Sequence, residues 1–130
     1  MGFAKTSQLA GGIHTRLFSR AFIFREEEEE EEAAPHSSVV FVSVDVGMIG
    51  QMVKKRVMDN LGMFYGADVY HAGNVLISAT HTHSGPAGYL QYLLFNVATM
   101  GFNKDTFDSI VQGITKVRVY LYDISTYVFL

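Results

Sequence analysis

The sequence predicts an α/β fold, a partial β-sheet with a βαβ crossover and flanking helices, and three stretches carry that prediction. Val39–Val46 is β-branched and apolar on both alternating faces, the composition of a strand covered on both sides. Gly47–Phe64 follows, with Ile49, Val53, Val57 and Leu61 recurring every four residues and Met52 and Phe64 broadening the apolar face of a helix. Val75–Ala79 is a second short apolar run ending in small residues, which reads as another buried strand. Strand, helix and strand in that order form a crossover between parallel neighbours. Asp45 and His81 then emerge at the same C-terminal sheet edge, where open α/β folds bind ligands.

Before these elements, residues 1–12 are glycine-rich and polar, which reads as a loop or weak turn. Ile13–Phe24 is strand-like, with Ile13, Leu17, Phe18, Ala21, Phe22, Ile23 and Phe24 apolar. Arg16 and Arg20 within it read as edge or snorkelling positions, with an anion or carbonyl contact as the sharper alternative. Seven consecutive glutamates, Glu26–Glu32, then repel one another and cannot join a core, so residues 26–38 are expected to form a solvated loop joining two strands. Calcium binding by this run lacks the glycine turn and alternating ligands of an EF-hand.

After the second strand, Tyr89–Phe102 is rich in aromatic and aliphatic residues and reads as core or a buried helix-turn segment, with a lipid-lining role as the alternative. Asn103 is suited to cap a second amphipathic helix, Lys104–Lys116, with Phe107, Ile110, Val111 and Ile114 on one face. Residues 117–130 have strand composition.

With 130 residues the chain is long enough for one domain with a core. Its net charge of −3 comes largely from the glutamate run, and no basic surface or basic–aromatic alternation points to nucleic acid. The absence of cysteine excludes disulfides and thiolate metal sites, so any metal is held by nitrogen and oxygen. No apolar run reaches the length of a membrane span, and the N-terminus has no signal-peptide pattern.

Chemistry concentrates in Asn74–Tyr89, NVLISATHTHSGPAGY. His81 and His83 follow the strand directly, and imidazoles at i and i+2 of an extended backbone project to one side. Together they suit a transition metal such as zinc, although a catalytic zinc takes three protein ligands. Simple hydrogen bonding of both rings in a polar loop is the competing reading. Asp45 is expected to cap the following helix or, alternatively, to orient a histidine. His14 and His71 read as surface or structural imidazoles.

Thr80–Tyr92, THTHSGPAGYLQY, resembles the signature of the neutral ceramidases, zinc amidohydrolases that cleave N-acylsphingosine. The likeness extends to residues 1–22, MGFAKTSQLAGGIHTRLFSRAF, to Val39–Asp45 with the helix after it, and to Gly101–Ile114, GFNKDTFDSIVQGI. It implies that residues 1–116 are part of a large αββα catalytic domain, with residues 26–38 an acidic insertion and 117–130 a divergent tail. It further implies a hydrolase acting on a linear amide, converting ceramide to sphingosine and a fatty acid in sphingolipid catabolism. On the motif, His81 resembles the family's first zinc ligand and His83 the neighbouring histidine that contacts substrate. The family's remaining ligands, a histidine, a glutamate and a tyrosine, and the serine proposed as catalytic would lie in later segments. The resemblance also implies a secretory-pathway, extracellular or membrane-associated location for the full-length family, with membrane-surface association of the protein. The expectation is a fragment, inactive alone, from a truncated reading of a longer protein. Another H-x-H metal hydrolase, or a truncated non-catalytic product that binds lipid or a partner, remains open.

If the glutamate run is a solvated connection, replacing Glu26–Glu32 with a short Gly/Ser turn is expected to change stability by no more than about 0.5 kcal/mol. Urea denaturation of the two chains measures this, and a large loss of folded protein contradicts the loop assignment.

Overall fold

The computed structural model describes residues 7–25, 38–117 and 126–129. Four strands, β1 (Phe18–Arg25), β2 (Ser38–Val44), β3 (Val75–Ala79) and β4 (Thr126–Phe129), form one sheet in the order β3-β2-β1-β4. Helices α1 (Gln51–Tyr65), α2 (Leu93–Ala98) and α3 (Lys104–Thr115) complete the described elements. β2 and β3 are parallel, in register from Val40↔Val75 to Val44↔Ala79, with α1 between them in the chain, so the crossover expected from the sequence is present.

β1 and β2 pair antiparallel from Ser19↔Val44 to Arg25↔Ser38, so the acidic run does link two adjacent strands. The run itself, and the readings made of it, lie outside the described residues. β1 begins later than the apolar pattern from Ile13 implies, and Ile13 is 88% exposed. The partner strand explains the difference: Asp45 N–H donates to the Phe18 carbonyl at 2.8 Å, and beyond that point the chain turns toward α1. Residues 13–17 therefore have no continuation of β2 to pair with. On the other side of β1, Thr126–Phe129 pairs antiparallel with Phe18–Ala21, in keeping with the strand composition of the tail.

Alternation along β2 decides where the core lies. Val40, Val42 and Val44 are buried, while Val39 is 50% exposed and Phe41 and Ser43 are half-buried. The buried set packs with Val53 and Val57 of α1, Val75 of β3, and Phe107, Ile110, Val111 and Ile114 of α3. Among the described residues, then, helices cover only one face of the sheet, which corrects the expectation of a strand covered on both. The other face carries a stacked Phe22–Phe41 pair and the exposed side chains of Phe24, Val39 and Leu76.

α1 starts at Gln51, four residues after the pattern begins, behind Gly50, which supplies no side-chain cap. Val53 and Val57 are fully buried, and Ile49, Met52, Met58, Leu61 and Met48 pack around the core. Phe64 does not join that face: it is 69% exposed, one residue before the helix ends at Tyr65. Gly66, with φ +92, makes the stop in a backbone region that a side chain disfavours. α3 is as expected: Asn103 Oδ1 accepts the Thr106 N–H at 2.9 Å, satisfying one orphan donor of the first turn. Phe107, Ile110, Val111 and Ile114 are all buried.

Val42 is 5% exposed and paired on both sides, to Ala21 and Ile77. Val42→Asp places a carboxylate with no partner among valines, a cost comparable to the whole ~5–15 kcal/mol stability of a domain. Loss of cooperative unfolding and of native circular dichroism is expected. A soluble, native-like mutant would place Val42 at the surface.

Candidate functional site

The parallel pairing brings the C-terminal ends of β2 and β3 side by side. Thr80 N–H donates to the Val44 carbonyl at 2.9 Å, the last rung of that ladder. His81 comes next and adopts φ +60, a left-handed conformation uncommon for a side chain with a Cβ. Such outliers persist where surrounding contacts over-determine them, and they cluster at functional sites.

The contacts here are specific. His81 Nδ1 lies 2.7 Å from the Gly47 carbonyl oxygen. A carbonyl only accepts, so Nδ1 carries the proton and the neutral ring's lone pair is on Nε2. That Nε2 lies 3.3 Å from His83 Nε2, with the two rings edge to face at 5.0 Å between centroids. Since His81 Nε2 can only accept, the proton between the rings belongs to His83. The two imidazoles lie together and bond each other, although His81 is turned out of the extended backbone that their spacing assumed.

The Gly47–Met48 turn that receives His81 is itself held by Tyr89. Met48 N–H donates to Tyr89 Oη at 3.2 Å, and the hydroxyl donates to the Met48 carbonyl at 2.9 Å. Tyr89 is fully buried. Burial pushes its phenol pKa up, partly offset by the Met48 and Gly47 backbone groups. Further along the loop, Gly88 has φ +82 and its carbonyl accepts the Asn103 N–H at 2.6 Å. A Cβ there would come within 3.3 Å of Asn103 and Gly101, so glycine lets the loop lie against the start of α3.

Asp45 neither caps α1, whose N-cap is Gly50, nor bonds a histidine. Instead its carboxylate takes both arms of the Arg20 guanidinium, at 2.9 and 3.2 Å, and the Phe18 N–H at 3.0 Å. The reason is reach: β1 and β2 are antiparallel, so Arg20 lies beside the end of β2, whereas α1 begins only at Gln51. Arg20 is thus an ion-pair partner, and its guanidinium also lies over the Phe18 ring at 5.2 Å. Burial raises the Asp45 pKa, but Arg20, the Phe18 N–H and the Thr80 hydroxyl outweigh it and hold the carboxyl below its ordinary 3.8.

The other described histidines stay apart from this edge. His71 precedes β3 at its opposite end, where its Nδ1 accepts the Gly73 N–H at 3.2 Å. His14 is exposed. Among the described residues no group of three or more histidine, aspartate and glutamate side chains could hold a metal ion. Tyr89–Phe102 is core only in part: Tyr89 and Leu90 are buried, but Leu93, Leu94, Val97 and Met100 are 71–95% exposed. α2 is a six-residue helix in which no residue is buried, so it presents apolar side chains outward.

The candidate site is thus a parallel α/β sheet edge bearing a constrained histidine pair, and comparison with known proteins gives the family. Residues 1–119 match the N-terminal region of the neutral/alkaline non-lysosomal ceramidases. The chain is 47% identical over 114 residues to neutral ceramidase of Oryza sativa subsp. japonica, covering 88% of this chain and 14% of that protein. It is 43% identical over 119 residues to neutral ceramidase A of Dictyostelium discoideum, covering 92% and 16%. Neutral ceramidase from Pseudomonas aeruginosa superimposes with a TM-score of 0.78 at 39% identity, over 89% of this chain and 17% of that one. A ceramidase complexed with C2 gives the same TM-score at 40% identity. This chain belongs to the neutral/alkaline non-lysosomal ceramidase family, and it spans about a seventh of the length of the curated relatives it matches.

Asp45→Asn is expected to cost about 2 kcal/mol, the scale of a charge-assisted bidentate contact, measured by urea denaturation at pH 7. Because the folded-state pKa is depressed, that contribution is fully present above 3.8 and is lost as pH falls through the folded value. The gap between wild type and mutant therefore narrows below about pH 4. A gap that stays constant with acidification contradicts the ion-pair account.

Proposed function

We propose that this segment belongs to the zinc-dependent amidase site of a ceramidase, which in the complete enzyme hydrolyses ceramide to sphingosine and a fatty acid. The observation that carries the reading is the His81 ring, its proton committed to Gly47 and its Nε2 lone pair turned toward His83, in a chain of this family. The donor set fits part of a zinc site. His81 offers one nitrogen ligand of such a site, an Nε2 lone pair on a ring whose other nitrogen is already committed. A backbone carbonyl on the far ring nitrogen is the usual orienting partner of a ligating histidine. When bound, zinc supplies Lewis acidity toward the amide carbonyl.

His81 is assigned as ligand and His83 as substrate contact through its Nε2–H, which in the metal-free chain is directed at His81 Nε2. The substrate reading gains support from the segment after the histidines. From Ser84 to Asn103 there is no charged side chain, and Leu93, Leu94, Val97 and Met100 face outward, a surface suited to hydrocarbon chains. Association of the complete enzyme with a membrane surface, and a location along the secretory route or outside the cell, belong to the same proposal and rest on family membership. No described helix is long and apolar enough to cross a membrane. Residues 1–116 form the ceramidase-like part in this reading, with 26–38 as an acidic insertion and 117–130 as a divergent tail.

At this edge the described residues offer at most two imidazole donors, so the 130-residue chain by itself is expected to hold zinc weakly and to be inactive. With residues 1–116 grafted into a complete ceramidase catalytic domain, His81→Ala is expected to remove metal and ceramide hydrolysis together. His83→Ala is expected to lower hydrolysis while most of the metal stays. Zinc stoichiometry and turnover on both variants decide it. Full zinc retention in His81→Ala overturns the ligand assignment, and metal retained without ceramide cleavage in the unsubstituted graft favours a different metal hydrolase.

A further inference from the structure

The Gly47 carbonyl and the Met48 N–H belong to one peptide group, which is trans and planar. His81 Nδ1–H donates to the oxygen on one edge of that plane at 2.7 Å. Tyr89 Oη accepts the N–H on the opposite edge at 3.2 Å and donates to the next carbonyl, that of Met48, at 2.9 Å. Rotating the peptide plane would break the Tyr89 and His81 bonds together. Tyr89 is in turn anchored by packing, its ring fully buried in the cluster that includes Val44, Val46 and Val53.

We infer that Tyr89 is a positioning residue for His81: its hydroxyl clamps the Gly47–Met48 peptide and thereby fixes which imidazole nitrogen of His81 carries the proton. Its location eight residues after His81, across the Ser84–Gly88 turn, closes a ring of contacts around the site. The chain leaves the histidines, turns, buries Tyr89, and Tyr89 reaches back to the loop that orients the first histidine. Without the hydroxyl, the Met48 N–H and carbonyl lose their shared partner, and the Gly47 carbonyl is released to turn away from His81. Free imidazole has no such constraint, so both tautomers then become accessible.

This inference rests on the ligand reading of His81 only in its metal arm. The direct test labels the histidines of the full 130-residue chain with ¹⁵N and reads the His81 ring by NMR without metal, in wild type, Tyr89→Phe and Tyr89→4-aminophenylalanine. Wild type is expected to be predominantly the Nδ1–H tautomer. Tyr89→Phe keeps the buried ring and is expected to reduce the Nδ1–H to Nε2–H ratio at least threefold, while the amine, which can both donate and accept, restores it. A zinc titration followed on the same signals is expected to need about tenfold more zinc for half-saturation in Tyr89→Phe, the scale of losing an orienting partner.

A folded Tyr89→Phe chain with an unchanged His81 tautomer overturns the inference, as does a wild-type ring that is mainly Nε2–H. If Tyr89→Phe does not fold, the 4-aminophenylalanine chain carries the test: a wild-type tautomer ratio supports the clamp and a shifted one overturns it. If zinc leaves the His81 signals of wild type unmoved, the ligand reading fails, yet the metal-free tautomer comparison still decides the role of Tyr89.

Discussion

Everything at the candidate site depends on the parallel register of β2 and β3. Val44 lies opposite Ala79, so the two chains leave the sheet together, one into Asp45–Gly47 and the other into Thr80–His81. Only this alignment lets a Gly47 carbonyl reach a His81 ring. A slip by one residue would also turn Val40, Val42 and Val44 away from α1 and α3, because side chains alternate across the sheet. Core burial therefore enforces the same register that the site requires, and the site's geometry is a consequence of where the valines must go.

Two polar clamps hold the strand ends against fraying. Arg20 and Asp45 tie β1 to the exit of β2, with the Phe18 N–H and the Thr80 hydroxyl on the same carboxylate. Tyr89 does the equivalent for the turn after it. Desolvation opposes both groups, raising the Asp45 pKa and the Tyr89 pKa, and in the aspartate the donors prevail. Such groups are tolerated inside because their hydrogen bonds are made, and both sit where the backbone must turn between an element and the functional loop.

The crossover, the two amphipathic helices and the Asn103 cap were legible in the sequence because each is written in local periodicity or spacing, whereas His81 and His83 meet through a left-handed His81 backbone that the spacing argument did not foresee. The THTHSGPAGY motif made the family legible because it too is local. What was not legible depended on partners distant in the chain. Asp45 has the look of a helix cap, and only the antiparallel pairing of β1 with β2 reveals Arg20 as its partner, 25 residues away. Tyr89 is submerged in an apolar run, and its one local signal, a hydroxyl that needs a partner when buried, does not say which. The outward-facing Leu93, Leu94 and Val97 were read as core because hydrophobicity alone does not distinguish a buried stripe from an exposed one.

The proton inventory of the histidine pair follows from a single acceptor. Because the Gly47 carbonyl can only accept, His81 donates from Nδ1 and accepts at Nε2, and His83 must donate into the gap. A metal ion on the His81 lone pair, in the proposed site, would replace the His83 N–H at that contact. The His83 ring is exposed. The distinct roles proposed for His81 and His83 thus meet in one hydrogen-bonded pair. The left-handed backbone of His81 fits this account, since it is the conformation that brings Nδ1 to Gly47 while Nε2 remains directed at His83.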